Sequence, residues 1–179
     1  MKYFLLREEK RIVDSPQLIN WHKNIPIQKL RWGTYHEVPP KTVLFIKENK
    51  NIYFPDIMLF PFLMISRKIK DILDLYEPNM GYRQIILIEN KNERCMQYFI
   101  PHLMRLECLS KKTEYNFDHS EVKKAVLEQN RLIDKCIFEL GEVSNRQVIV
   151  RQDFLESVLR REAIINFERA EIEGESENG

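Results

Sequence analysis

"VIVRQDFLESVLRREAIINFERAEI", from Val148 to Ile172, decides the fold. Its opening is a continuous β-branched run, the pattern of a strand buried on both faces. Phe154, Leu155, Val158 and Leu159 then recur at helical spacing, with Asp153, Glu156, Arg160 and Arg161 around them. "AIINF" returns to a strand pattern. The order is strand, short amphipathic helix, strand.

The stretch "LMISRKIKDILDLYEPNMGYRQIILI", from Leu63 to Ile88, follows the same order. At an offset of 85, Leu63, Met64 and Ile65 fall on Val148, Ile149 and Val150. Ile69 falls on Phe154, Asp71 on Glu156 and Leu73 on Val158. "QIILI" and "AIINF" are expected to correspond after a shorter link in the second copy. Identities are few, so the repetition is one of pattern. Ser66 is placed to cap the first helix, because its hydroxyl can accept an amide hydrogen bond one turn on. Pro78 and Gly81 end that helix.

Outward from these units the signals are strands. "KYFLL" (2–6), "TVLFIKE" (42–48) and "CIFEL" (136–140) are apolar and β-rich. "CMQYFIPHLMRLECLSKK" reads as strands broken at Pro101. Residues 119–135 stay open: Asp118 and Glu121 have capping-box spacing, but the apolar residues make no single helical stripe, and a hairpin fits as well. Pro16, Pro26, Pro39, Pro40 and Pro55 make residues 1–55 rich in loops. The expected fold is α+β, a mixed and largely antiparallel sheet with a few short helices, as one domain over 1–172. Residues 173–179 are expected to be a frayed acidic tail.

The 179 residues are 44% hydrophobic and 31% charged, an ordinary globular composition. Net charge is +1, which names no polyanionic partner. The balance is uneven: residues 168–179 sum to −4 and residues 1–55 to +5. A basic N-terminal third favours an acidic partner surface only weakly. No apolar stretch approaches the ~18 residues that cross a bilayer. "MKYFLLREEKR" has too short an apolar run for a signal peptide. Cys95, Cys108 and Cys136 form no CxxC. A cytoplasmic protein with reduced thiols, not membrane-bound, is expected.

Chemistry-bearing motifs are absent. There is no phosphate loop, dinucleotide fingerprint, nucleophile elbow, HExxH or EF-hand pattern. Cys95, His102 and Cys108 match no common zinc spacing, and Cys95 and Cys108 read as small hydrophobes. Nothing orients Cys108 or Cys136 toward His22, His36, His102 or His119. Asp56 and Asp118 suit turns and caps, and Glu121 is equally unspecific as an acid or base. No cofactor and no catalytic or metal-binding residue is expected. Trp21, His22, Lys23, Lys29, Arg31, Trp32 and Tyr35 interleave aromatics with bases, which could stack on nucleotides. A protein interface ranks ahead of nucleic acid for them, with Trp21, Trp32 and Tyr35 as the candidate partner-binding anchors.

"PDIMLFPFLMISRKIKDIL" (55–73) and "CIFELGEVSNRQVIVRQDFLESVLRREAIINFERAEI" (136–172) resemble the immunity protein 11 family of bacterial polymorphic-toxin systems. Pro55, Asp56, Ser66, Ile137, Phe138, Leu140, Val148, Ile149, Val150, Phe167 and Glu168 carry the resemblance. Glu139 stands where that pattern has a base, Arg151-Gln152 replaces a Ser-Asp, and "RREAIINF" lacks a glycine. The resemblance implies paired strands over 122–140. It also implies a stoichiometric, non-catalytic protein that binds and neutralises a cognate toxin. The alternatives are a small hydrolase or transferase assembled from distant residues, and a nucleic-acid adaptor.

Overall fold

The apolar runs named above become strands in a computed structural model that describes residues 1–30 and 33–174. In chain order the elements are β1 (Tyr3–Arg7), β2 (Leu18–Ile19), β3 (Lys41–Ile46), β4 (Ile57–Met58), β5 (Met64–Ser66), α1 (Arg67–Tyr76), β6 (Tyr82–Glu89) and β7 (Arg94–Pro101). They continue as β8 (Arg105–Leu106), β9 (Glu114–Tyr115), β10 (Val122–Lys124), β11 (Val126–Leu127), β12 (Ile137–Leu140), β13 (Val148–Arg151), α2 (Gln152–Leu159) and β14 (Asn166–Ile172). The fold is α+β and mostly sheet.

Two mixed sheets have the orders β2-β3-β6-β7-β5-β4 and β11-β14-β1-β13-β12-β8, beside a β9-β10 pair. Five strands of each superimpose in order and direction. β4-β5-β7-β6-β3 runs antiparallel, antiparallel, antiparallel, parallel. So does β12-β13-β1-β14-β11. The register agrees as well. Ile65 pairs Ile57 and Phe99, as Val150 pairs Ile137 and Phe4. Tyr98-Phe99 of β7 and Tyr3-Phe4 of β1 therefore hold equivalent places.

Each unit is a split strand–helix–strand in which an antiparallel strand lies between the two strands that flank the helix. In the first unit β7 follows directly in the chain. In the second, β1 supplies that strand from far upstream. The closing strands keep the same offset: Ile85 pairs Tyr98 as Ala170 pairs Tyr3. This corrects the expected shorter link and the match of "QIILI" to "AIINF"; "RAEIE" (169–173) is the true counterpart.

α1 and α2 lie between the sheets. Ile69, Ile72 and Leu73 of α1 and Phe154, Leu155 and Val158 of α2 share one core with Phe99, Leu6, Val148 and Val150. Burying such a side chain contributes about 1.5–3 kcal/mol. The Tyr76 ring meets Phe154 edge-on at 5.6 Å, and its hydroxyl lies 2.6 Å from Ser157 Oγ. Leu159, expected to face inward, is 38% exposed.

The caps differ. Ser66 Oγ accepts from Ile69 N at 3.4 Å, as expected, and donates to Asp56 Oδ1 at 2.7 Å. Arg151 at the start of α2 provides no side-chain cap.

Each sheet has a second core on its outer side. Ile25, Leu30, Tyr35 and Val38, from the proline-punctuated segment, cover Leu44, Leu87 and Tyr98. Cys108, Val122, Leu127 and Val143 cover Phe138 and Ile149. Residues 119–135 form neither one helix nor a hairpin with the chain that follows: they give two short strands, β10 and β11, and a 3-10 turn at Gln129–Arg131, with the consecutive Ala125, Val126 and Leu127 all buried. They do not pair with 132–140: β10 pairs β9 and β11 pairs β14. Glu173, at the head of the expected tail, accepts from Ser110 Oγ at 2.8 Å and pairs with Lys112. Residues 175–179 lie outside the described residues. Among the described residues no helix is long and apolar enough to cross a membrane.

Candidate functional site: a groove at the seam

Curling of the first sheet brings its two ends to one place. Leu18 of β2 and Ile57 and Met58 of β4 line the same groove of about 500 Å³. Further walls include Glu8, Glu9, Lys10 and Ile12, which follow β1, the exposed Phe60, and Ile164-Ile165, which lead into β14. The groove therefore sits between the two units. Its lining combines apolar Leu18, Trp21, Ile57, Met58 and Leu59 with polar Glu8, Lys10, Gln17 and Lys47.

Trp21 belongs to the groove. It opens a single 3-10 turn (Trp21–Lys23) that follows β2, and its ring meets Phe62 edge-on at 5.8 Å. Asn20 at φ 49° turns the chain there. Phe60, 70% exposed, is the large apolar side chain the sequence reading missed. Its neighbours in "LFPF" are equally apolar, and one-dimensional periodicity cannot say which member of such a run faces water.

Tyr35 is corrected as an anchor. It is 3% exposed, and its hydroxyl donates to the Ile100 carbonyl at 2.6 Å. Burial pushes its phenol above the usual range. The ring stacks on His102 at 4.1 Å and lies under the Arg83 guanidinium. Trp32 and Arg31 lie outside the described residues. Lys29 is paired with Glu37.

The groups weighed for catalysis lie in separate places. Cys108 is buried in the outer core of the second unit, and burial pushes its thiol up to about 12. Cys136 is buried between the units, and burial also pushes its thiol up. Cys95, expected to be a small core hydrophobe, is exposed. Asp118 accepts from Ser120 N at 3.0 Å in an exposed turn. Asp56 is committed to Ser66 and Lys68. Among the described residues no group of His, Cys, Asp and Glu could hold a metal ion.

A smaller pocket of about 350 Å³ opens at the other side of the seam, lined by Glu77, Met80, His102, Met104, Lys135 and Ile137. Glu77 has both oxygens engaged: Cys136 N donates at 3.0 Å and Lys135 Nζ at 2.5 Å. It follows the last residue of α1 and ties that end to the approach of β12.

Glu139 is the most buried carboxylate described in the second unit, at 2% exposure. Arg146 donates to it twice, at 2.5 and 2.9 Å. Arg105 Nε stands 3.4 Å away without hydrogen-bond geometry, while its Nη2 reaches the carbonyls of Leu140, Gly141 and Val143. The carboxylate is thus spent holding β8, β12 and the following turn together.

No family model matches the chain, and no curated protein matches it.

Proposed function

We propose that the protein is a non-catalytic binding protein that neutralises a toxin domain by occupying it stoichiometrically. The observation that carries this reading is the apolar groove at the seam, with Trp21 in its wall and Phe60 at its mouth. An aromatic anchor beside a concave apolar surface is the arrangement found at the centre of protein interfaces. The resemblance of residues 55–73 and 136–172 to the immunity protein 11 family supplies the class of partner. The commitment of Asp56, Glu77 and Glu139 to internal hydrogen bonds, and of Cys108 and Cys136 to the cores, fits a protein whose polar residues hold the scaffold.

The test is a pull-down with the product of an adjacent toxin-like gene. Micromolar or tighter capture is expected, weakened about tenfold or more by Trp21→Ala, since removing an interface aromatic costs over 1 kcal/mol. No capture at micromolar concentration overturns the reading.

A further inference from the structure

The helix-bearing face of the first sheet is only half covered. α1 shields Phe99 and Ile65, at the β7-β5 end. Beyond it, cross-strand pairing lines up Ile19, Phe45, Ile88 and Cys95 in one row and Val43, Ile86 and Gln97 in the next. Phe45 is 47%, Val43 41% and Ile19 38% exposed. Cys95 is exposed too.

The second unit builds the same face differently: Val126, in the place of Val43, is buried at 5% exposure, and charged residues hold the other positions. Register places Glu171 and Glu173 where the first unit has Ile86 and Ile88, and Glu128 where it has Phe45. Each of these carboxylates has a cation partner: Lys124, Lys112 and Arg131. A contiguous apolar surface in place of charged positions marks an interaction site.

Two features define the occupant. Lys41 and Lys47 stand on this face in line with Val43 and Phe45, and neither makes an ion pair among the described residues. No acidic residue shares these rows. The second feature is an open edge. Lys47 N donates outward to Gln17 and Gln84 N donates inward to the Pro40 carbonyl, so alternation points the backbone of Lys41 and Val43 away from β6. β2 reaches only Phe45 and Ile46, which leaves that edge without a strand among the described residues. Lysines at such an edge repel a second copy of it.

We propose that this face and edge dock an extended segment of a partner protein, added as a strand beside β3, whose residues on this face are apolar where they flank Val43 and Phe45 and acidic where they flank Lys41 and Lys47. The proposal rests on the reading of the chain as a binding protein and names the chemistry of the segment it takes. The face continues into the groove across β2, with Leu18 on the groove side and Ile19 on the bare side.

The outward-facing amides of Lys41 and Val43 make the test direct, while Cys95 on β7, two strands beyond β3, serves as a control thiol outside the docked strand. The full chain is titrated with a labelled peptide of about ten residues, a length that matches a typical strand. The peptide has valines at its central same-face positions and glutamates at the outer same-face positions, and a counterpart carries lysines in place of the glutamates. Anisotropy and hydrogen exchange of the Lys41 and Val43 amides are both followed. The acidic peptide is expected to bind saturably and slow that exchange about tenfold, more weakly in high salt. Phe45→Glu abolishes both effects. Lys41→Glu with Lys47→Glu, at exposed positions, reverses the preference toward the lysine peptide. Equal binding of both peptides, or no protection of the Lys41 and Val43 amides, overturns the proposal. So does a dimer by light scattering that Phe45→Glu dissociates, since the occupant is then a second copy. Capture of the toxin-like protein that survives Phe45→Glu overturns this surface and leaves the binding function standing. Peptide protection without such capture sinks the toxin reading alone.

Discussion

The two units share strand order, direction and register, yet they spend their polar residues differently. In the second, Glu139 is buried with two arginines at the position that Leu59 holds in the first. In the second, Glu128, Glu171 and Glu173 clothe the face that Phe45, Ile86 and Ile88 leave apolar in the first. The second unit is finished toward water and tied internally by charge. The first rests on apolar packing, the Ser66–Asp56–Lys68 cluster and Glu89 bound to Asn92, and keeps an apolar surface open. One scaffold thus serves as brace in one half and as candidate contact surface in the other.

The comparison breaks most visibly at Glu139. Glu139→Leu installs the first unit's residue but strands Arg146 and Arg105, a loss of about 3–5 kcal/mol for an uncompensated buried charge. Denaturant unfolding measures it; an effect under about 1 kcal/mol would show that the arginines find water. Ser66→Ala removes the α1 cap and the partner of Asp56, and costs about 1–2 kcal/mol. Gln152→Ala, at the first residue of uncapped α2, stays within about 0.5 kcal/mol by the same assay.

Phe45→Glu sharpens the contrast further. It copies Glu128 onto an exposed position, so stability changes by about 0.5 kcal/mol or less while docking is lost. The smallest effect concerns pH. The Arg151 hydrogen bond holds the Asp153 carboxyl below its usual value. A depressed carboxylate contributes stability above the unfolded pKa and loses it as pH falls through the lower folded value. The loss therefore falls below about pH 4, the ordinary Asp value. Asp153→Asn flattens that limb of the stability curve, read from unfolding midpoints between acid and neutral pH.

Both helices and most long strands were legible, because 3.6-residue and two-residue apolar periods are written locally. Ser66 as a cap was legible for the same reason. The offset of 85 was visible at β5/β13 and in the helices but went astray at β14, where "NFERAEI" has Arg169 and Glu171 on a partly solvated face and no longer looks like "QIILI". The pairing of β1 with β13 and β14 carries no local signal, since nothing in "KYFLL" says which distant strand it meets. The site was half legible. Trp21 was named from its chemistry, but the burial of Tyr35 and the exposure of Phe60, Phe45 and Cys95 follow from sheet curvature and incomplete cover, which are tertiary facts.

The placement of β1 has a consequence for the order of assembly. Residues 41–101 contain every strand of the first five-stranded set, so that sheet can close from contiguous chain with short loops. The second set needs Tyr3 to meet Arg151 and Ala170. Pairing at such separation is entropically late. β1 is synthesised well before β13 and β14, its two partners, and is satisfied among the last. Until then its "YFLL" is an unpaired apolar strand, held beside a first unit that already offers a folded surface.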